Sequence, residues 1–267
     1  MWWIISLLFM TISLHADIEE TDSFNTLLEK TISAPNNTIV LCDIDNTLLK
    51  ASQQLGSVEW GDYIIQTLTE KGMDRNDAQE IESKLWNLIG PNIPIMLMQP
   101  EIPKIIQTIQ QKGIPVVGLT ARGATETSYT IRQLESLKIS FTKMSPSFSL
   151  DQLSKYSQGV IFCSPFRSKA SCLFFFLRKC QFPATQIIYI DDKIEYLYDL
   201  EEACNTQKVS FMGLRYSKAD NLSKQFQPAI AHIQWKMFPK IISDEEAREI
   251  IKSQESNKAA QNIAELR

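Results

Sequence analysis

Two aspartates one residue apart, Asp43 and Asp45, close an apolar run, Ile39–Cys42, within the stretch TIVLCDIDNTLLK (residues 38–50). Carboxylates beside a core are costly unless something pairs with them. Other groups able to do chemistry stand in equivalent places: Thr120 after the run PVVGL (115–119), Lys169 a short loop after GVIFC (159–163), and Asp191-Asp192 after IIYI (187–190). Singly, each has an ordinary explanation as a turn residue, a strand former or a solvated lysine. Their order and their common position at run ends carry the signal. The chemistry such a set supports is phosphoryl transfer. Several carboxylates on one rim repel unless a cation sits among them, and hard oxygen ligands favour Mg²⁺. One carboxylate then serves as nucleophile and forms an aspartyl-phosphate. A second gives a proton to the leaving oxygen and later activates water. A threonine hydroxyl and a lysine ammonium hold the charged equatorial oxygens.

These residues share a rim only if the elements before them are parallel strands. Five apolar runs recur, at 39–42, 115–119, 159–163, 187–190 and 208–214, and helical patterns lie between them. Residues 103–112 place Ile105, Ile106 and Ile109 on one face; 124–137, 168–180 and 192–204 are the other helical candidates, the third opening at a plausible N-cap, Ser168. Continuous apolar strands alternating with helices predict an α/β three-layer sandwich around a central parallel sheet, with ligands bound beyond the carboxyl ends of the strands. One stretch breaks the alternation. Residues 51–100 hold two helical candidates, 57–71 and 75–89, then a return with Pro91, Pro94 and Pro100, and read as a small helical cap inserted in a core of 17–50 and 101–242. From Ser243 the chain has a capping-box pattern with Glu246 and reads as a C-terminal helix or tail over 243–267. A strand places alternate side chains on one face, so Asp43 and Asp45 are expected to address the same ligand.

The motifs resemble those of the haloacid dehalogenase (HAD) superfamily. Asp43-Ile44-Asp45-Asn46-Thr47 looks like its DxDxT motif, Thr120 like the second motif, Lys169 like the third and Asp191-Asp192 like the fourth, with the insertion where the family places a C1 cap. The resemblance implies a HAD-like Rossmannoid core and assigns roles. Asp43 is the nucleophile and a Mg²⁺ ligand; Asp45 is the acid/base, with its backbone carbonyl on the metal. Thr120 and Lys169 bind the phosphoryl group. Asp191 completes the metal site, with Asp192 as ligand or neighbour. Family dehalogenases lack the second aspartate, so Asp45 points to the phosphatase branch. The stretches DIDNTLL and LTARG look closest to secreted acid phosphatases and to bacterial HAD-like proteins. The implied substrate is a small phosphorylated compound.

Several assignments stay open at this stage. Lys193, Arg167 and Lys179 compete with Lys169, which is preferred because it begins a helix. Arg122 is either a phosphate contact or a surface salt-bridge partner. Trp60 and Tyr63, three apart on one helix face, either stack on a leaving group or pack inside the cap. Glu195 is a candidate for supporting the metal site. A response-regulator receiver also joins Asp, Thr and Lys at strand ends, but its acidic pair precedes its phosphoacceptor, the reverse of the order here. A non-catalytic binding or surface protein on the same fold is the remaining alternative.

The bulk properties fit one such domain: 267 residues, 44% hydrophobic, 22% charged and a net charge of -4, with no long basic run. Nucleic acid is therefore excluded as an expected partner. The apolar stretch from Trp2 to about Leu14 is too short for a stable membrane span. With Ala16 before an acidic turn it reads as a signal peptide over 1–16, hence an exported (periplasmic or secreted) protein. Its alternative is a first core element of a cytoplasmic protein. Among five cysteines, Cys42 and Cys163 end apolar runs and read as core residues. Cys172 and Cys180, about 11 Å apart along one helix, are too far apart for a direct disulfide.

Overall fold

The structure, a computed structural model, describes residues 17–143 and 156–264. The expected signal peptide, 1–16, lies outside the described residues. A seven-stranded sheet forms the centre. Its strands are β1 (Asp17–Thr21), β2 (Thr38–Cys42), β5 (Val116–Thr120), β6 (Tyr156–Ser157), β7 (Val160–Phe162), β8 (Gln186–Asp191) and β9 (Ser210–Tyr216), in the spatial order β1-β9-β8-β2-β5-β7-β6. All neighbours are parallel except β6 with β7. The expected α/β sandwich around a central, mostly parallel sheet is the fold observed.

The strand that opens the motif series lies in the middle. All five residues of β2 are buried, and its side chains alternate between two cores. Val40 and Cys42 join one with Ile105, Ile106 and Ile109 of α4 (Ile102–Gln111) and Ile131 and Leu134 of α5 (Thr127–Ser136). Ile39 and Leu41 join the other with Leu173 and Leu177 of α6 (Lys169–Lys179) and Leu197 and Leu200 of α7 (Ile194–Gln207). The alternation continues past the strand: Ile44 belongs to the first core. Asp43 follows the parity of Ile39 and Leu41 and so faces the side that α6 covers.

Beyond Asp45 the chain turns sharply. Asn46 adopts φ 58°, and the Leu48 and Leu49 amides both return to the Ile44 carbonyl at 2.9 and 3.1 Å. A separate antiparallel pair follows, β3 (Leu49–Ala51) with β4 (Ile95–Leu97). Helices α2 (Val58–Glu70) and α3 (Arg75–Ile89) lie between these two strands and stand over the carboxyl ends of the sheet. Helix α1 (Asn25–Lys30) lies between β1 and β2, and after β9 come α8 (Asp220–Gln225), α9 (Pro228–Met237) and α10 (Asp244–Ala264). The α10 start is a capping box, Ser243 N donating to Glu246 Oε2 at 2.7 Å and Glu246 N to Ser243 Oγ at 3.1 Å.

The aromatic pair of α2 packs against α9 and the loop before it. Trp60 is buried with its ring centroid 6.3 Å from that of Trp235, and Tyr63 lies 5.7 Å from Phe226. Neither lines the cavity over the sheet, so of the two readings left open by the sequence the structure gives packing, here against the C-terminal segment. Among the described residues no disulfide forms, and Cys42 and Cys163 are buried. Among the described residues no helix is long and apolar enough to cross a membrane.

Candidate active site

Parallel strands deliver the motif residues to one end of the sheet. The Asp43 amide donates to the Ile190 carbonyl at 3.0 Å, and the Asp192 amide donates to Thr47 Oγ1 at 3.1 Å. These two bonds join the loop after β2 to the loop after β8. Asp43, Asp191 and Asp192 each offer a carboxylate oxygen, and the three oxygens lie within 4.8 Å of one another.

Lys169 lies between two of them. Ser168 caps α6 by accepting from the Ser171 amide at 3.1 Å and is itself held by Asp199 Oδ2 at 2.7 Å. The first helical side chain then projects under the strand ends. Its Nζ donates to Asp43 Oδ1 at 2.6 Å, to Asp191 Oδ2 at 2.7 Å and to the Tyr189 hydroxyl at 3.0 Å, and sits 4.1 Å from the Tyr196 ring centroid. The ammonium is 1% exposed. Burial alone would lower its pKa, but Asp191 and Asp43 hold it above the ordinary lysine value, so Lys169 is a fixed cation. Two of the other basic candidates have other partners. Lys193 Nζ is 3.9 Å from Asp62 of α2, and Lys179 lies over the Phe175 ring.

Asp191 is fully engaged. Oδ2 accepts from Lys169 and Tyr189, and Oδ1 accepts from the Lys193 amide at 2.8 Å. Tyr189 did not emerge from the sequence, although the period of a strand gives the signal: it lies two residues before Asp191 and shares its face. Burial, with Asp191 and Asp45 adding, pushes the Asp43 carboxyl up to about 7 against the opposing pull of Lys169. Burial, with Asp191 and Asp43, also holds Asp192 well above the ordinary aspartate range. Three carboxylates therefore face one buried ammonium. The donor set, all hard oxygens with an uncompensated negative charge, fits a divalent cation of the Mg²⁺ type.

Thr120 is buried, and its Oγ1 accepts from the Arg122 amide at 3.1 Å. Asp45 turns away from the carboxylate trio. Its oxygens take a two-pronged contact from Arg122, Nε to Oδ2 at 2.8 Å and Nη2 to Oδ1 at 2.7 Å. Arg122 is thus neither a surface side chain nor turned to a free phosphate position. The reason is local: the chain turns at Asn46, whose amide side chain donates to Glu59 Oε1 of α2 at 2.8 Å.

A cavity of about 690 Å³ lies over this floor. Asp43, Asp45, Thr120, Arg122 and Asp192 line it from the sheet, and Glu59, Asp62, Glu82 and Trp86 from α2 and α3; Lys193 and Glu195 reach it from the start of α7. Lys169 and Asp191 lie beneath the floor. Burial, then Glu126 and Asp62, push the Glu82 carboxyl up to about 7.

The profile of a family described as a protein of unknown function (DUF2608) matches residues 20–248. A Chlamydia pneumoniae protein, provisionally named an outer membrane protein, is 25% identical over 95% of this chain and 98% of its own length. A Chlamydia muridarum protein of the same designation is 26% identical over 78% of this chain and 80% of its own. Among solved structures, a haloacid dehalogenase-like hydrolase from Streptococcus pneumoniae superposes with a TM-score of 0.42 at 15% identity, covering 71% of this chain and 98% of that one. A phosphoserine phosphohydrolase-like protein from Francisella tularensis gives a TM-score of 0.36 at 16% identity, over 70% and 93% of the two chains.

Proposed function

The chain belongs to the family described as a protein of unknown function (DUF2608), and from the geometry of its site we propose that it is an exported, Mg²⁺-dependent phosphomonoester hydrolase. The observation that carries the reading is the buried Lys169 ammonium bridging Asp43 and Asp191 directly beneath a cavity that Asp43 floors. A structural ion pair has no need of a third carboxylate, Asp192, or of an opening to solvent.

Asp43 has one oxygen, Oδ1, fixed by Lys169; the other attacks phosphorus and the bond to the leaving oxygen breaks. Asp45 transfers its proton to that oxygen, giving an alcohol and an aspartyl-phosphate. Water then attacks phosphorus and yields a proton to Asp45; inorganic phosphate departs and Asp43 is restored. The Thr120 hydroxyl holds an equatorial oxygen, and the Lys169 ammonium fixes Asp43 and places positive charge beneath the phosphoryl group. Asp43, Asp191, Asp192 and the Asp45 carbonyl would hold Mg²⁺, whose chemistry is to neutralise charge on the transferring phosphoryl group. A cavity of about 690 Å³ under two helices suits a small organic phosphate. The apolar run before Asp17 and the designations of the chlamydial relatives support export.

The test is hydrolysis of p-nitrophenyl phosphate by protein lacking residues 1–16. Turnover is expected with Mg²⁺ and none with EDTA or in Asp43→Asn. Activity retained in Asp43→Asn overturns the mechanism, and a wild type inactive across a broad phosphate-ester panel favours the non-catalytic reading.

A further inference from the structure

Arg122 is one of the most constrained side chains in the molecule. Its guanidinium is 5% exposed. One edge meets both oxygens of Asp45 at 2.7 and 2.8 Å. Nη1, on the opposite side, donates to Thr130 Oγ1 at 2.9 Å and to Gln133 Oε1 at 2.7 Å, both on α5. Those two partners are themselves held: Thr130 Oγ1 donates to the Glu126 carbonyl at 2.8 Å, and Gln133 Nε2 donates to the Gly90 carbonyl at 3.3 Å. Gly90 ends α3, so the chain of bonds runs from Asp45 through Arg122 and Gln133 to the end of a cap helix. There the fit is close, because a Cβ on Gly90 would lie 2.8 Å from the Tyr129 ring.

We propose that Arg122 is a positioning residue for Asp45, and that it acts on the proton-transfer step rather than on phosphoryl binding; the proposal rests on the phosphatase reading. A two-pronged guanidinium contact fixes the plane of a carboxylate as well as its place, which a lysine ammonium does not. Proton transfer needs that geometry, since a general acid acts only within hydrogen-bond reach of the leaving oxygen. The α5 anchors determine which edge of the guanidinium is presented. A phosphoryl contact through the same edge would require the Asp45 pair to break.

The discriminating measurement is kcat/KM, which reports the steps up to departure of the leaving group, for two esters. p-Nitrophenolate leaves without a proton; the alkoxide of glycerol phosphate does not. In Arg122→Met, kcat/KM for glycerol phosphate is expected to fall about 100-fold or more, and for p-nitrophenyl phosphate less than about 10-fold. Inhibition by inorganic phosphate is expected to stay unchanged. Arg122→Lys should show the same pattern, since charge is kept and the fork is lost. Equal losses on both esters overturn the proposal: with weakened phosphate inhibition they make Arg122 a phosphoryl ligand, and with unchanged inhibition a structural residue. If the wild type turns over neither ester, the phosphatase reading fails, and the pairing is read from urea unfolding of Arg122→Met, Asp45→Asn and the double variant. A double variant no less stable than Arg122→Met supports the positioning of Asp45; additive losses overturn it.

Discussion

Each carboxylate at the site has a different environment, and the difference follows from what stands opposite it. Asp191 accepts from Lys169, Tyr189 and the Lys193 amide, and Asp45 from Arg122. Glu82 has no such cation close by. It faces Glu126, Asp62 and Asp45 across the cavity, with Lys193 as the opposing charge, and its carboxyl is pushed up to about 7, burial being the main cause. Its oxygen also lies against α2: a Cβ on Gly61 would be 2.7 Å from Oε1. The folded protein therefore keeps a proton on Glu82 that the unfolded chain releases near the ordinary glutamate value of about 4.3. Folded stability from this group is fully present below that value and is lost as pH rises toward 7. Glu82→Gln removes the titration. It should match the wild type in urea unfolding at pH 4 and exceed it at pH 8 by about 1–2 kcal/mol, a figure discounted for partial solvent access. Identical pH slopes in the two proteins would show that Glu82 titrates as in water.

At the scale of elements, β2, β5, β7 and β8 were legible because strands buried on both faces are continuous apolar runs, and α4 because Ile105, Ile106 and Ile109 recur at helical spacing. Parallel pairing then brings Asp43, Thr120, Lys169, Asp191 and Asp192 to one end. Other features had no local signal. The β3–β4 pair joins residues 49–51 to 95–97 across the two inserted helices. The turn that directs Asp45 to Arg122 depends on Asn46 adopting a left-handed conformation. The common face of Trp60 and Tyr63 is set by helical period, but not the body that meets it, which is α9 and the loop before it. That contact has a polar counterpart. Gln234 of α9 is 1% exposed; its Oε1 accepts from the Leu55 amide at 2.8 Å, and its Nε2 donates to the Ile242 carbonyl at 3.2 Å and to Asp244 Oδ1 at 2.9 Å. One amide thus ties the segment entering α2 to both C-terminal helices. Gln234→Leu keeps the volume and leaves those groups unpaired, for an expected loss of about 2–4 kcal/mol. Gln234→Glu retains the acceptor for Leu55 but sets a carboxylate beside Asp244, and should also destabilise. Differential scanning calorimetry of both variants checks this, and an unchanged transition would mean that the C-terminal helices do not brace the insertion.

At the scale of the whole molecule, an edge of the sheet joins the first described strand to one from late in the chain. Strand β1, the first described segment, pairs in parallel with β9 from Asp17 against Met212 to Thr21 against Tyr216. Its sequence, DIEET, carries no apolar alternation, so it was not legible as a strand. Its place is set instead by backbone bonds to β9, by the Lys30–Glu19 ion pair and by Thr21 Oγ1, which accepts from the Ser23 amide at 3.1 Å. Phe24 and Leu27 follow directly and are buried in the main core, Phe24 with its ring centroid 6.0 Å from Tyr216. A cut after Ala16, the proposed signal-peptide boundary, would leave residues Asp17–Thr21 in place. On the proposed export reading, mass spectrometry of the native protein should find Asp17 as the first residue. Protein beginning at Asp17 should unfold in urea as one cooperative transition. Protein beginning at Ser23 lacks β1 and exposes the β9 edge. Five residues of ladder, at about 0.5–1.5 kcal/mol per net hydrogen bond and partly offset by regained chain entropy, amount to about 2 kcal/mol. For a domain of this size that lowers the thermal midpoint by about 4–8 °C. Equal midpoints for the two proteins would remove β1 from the cooperative unit and leave the sheet edge at β9.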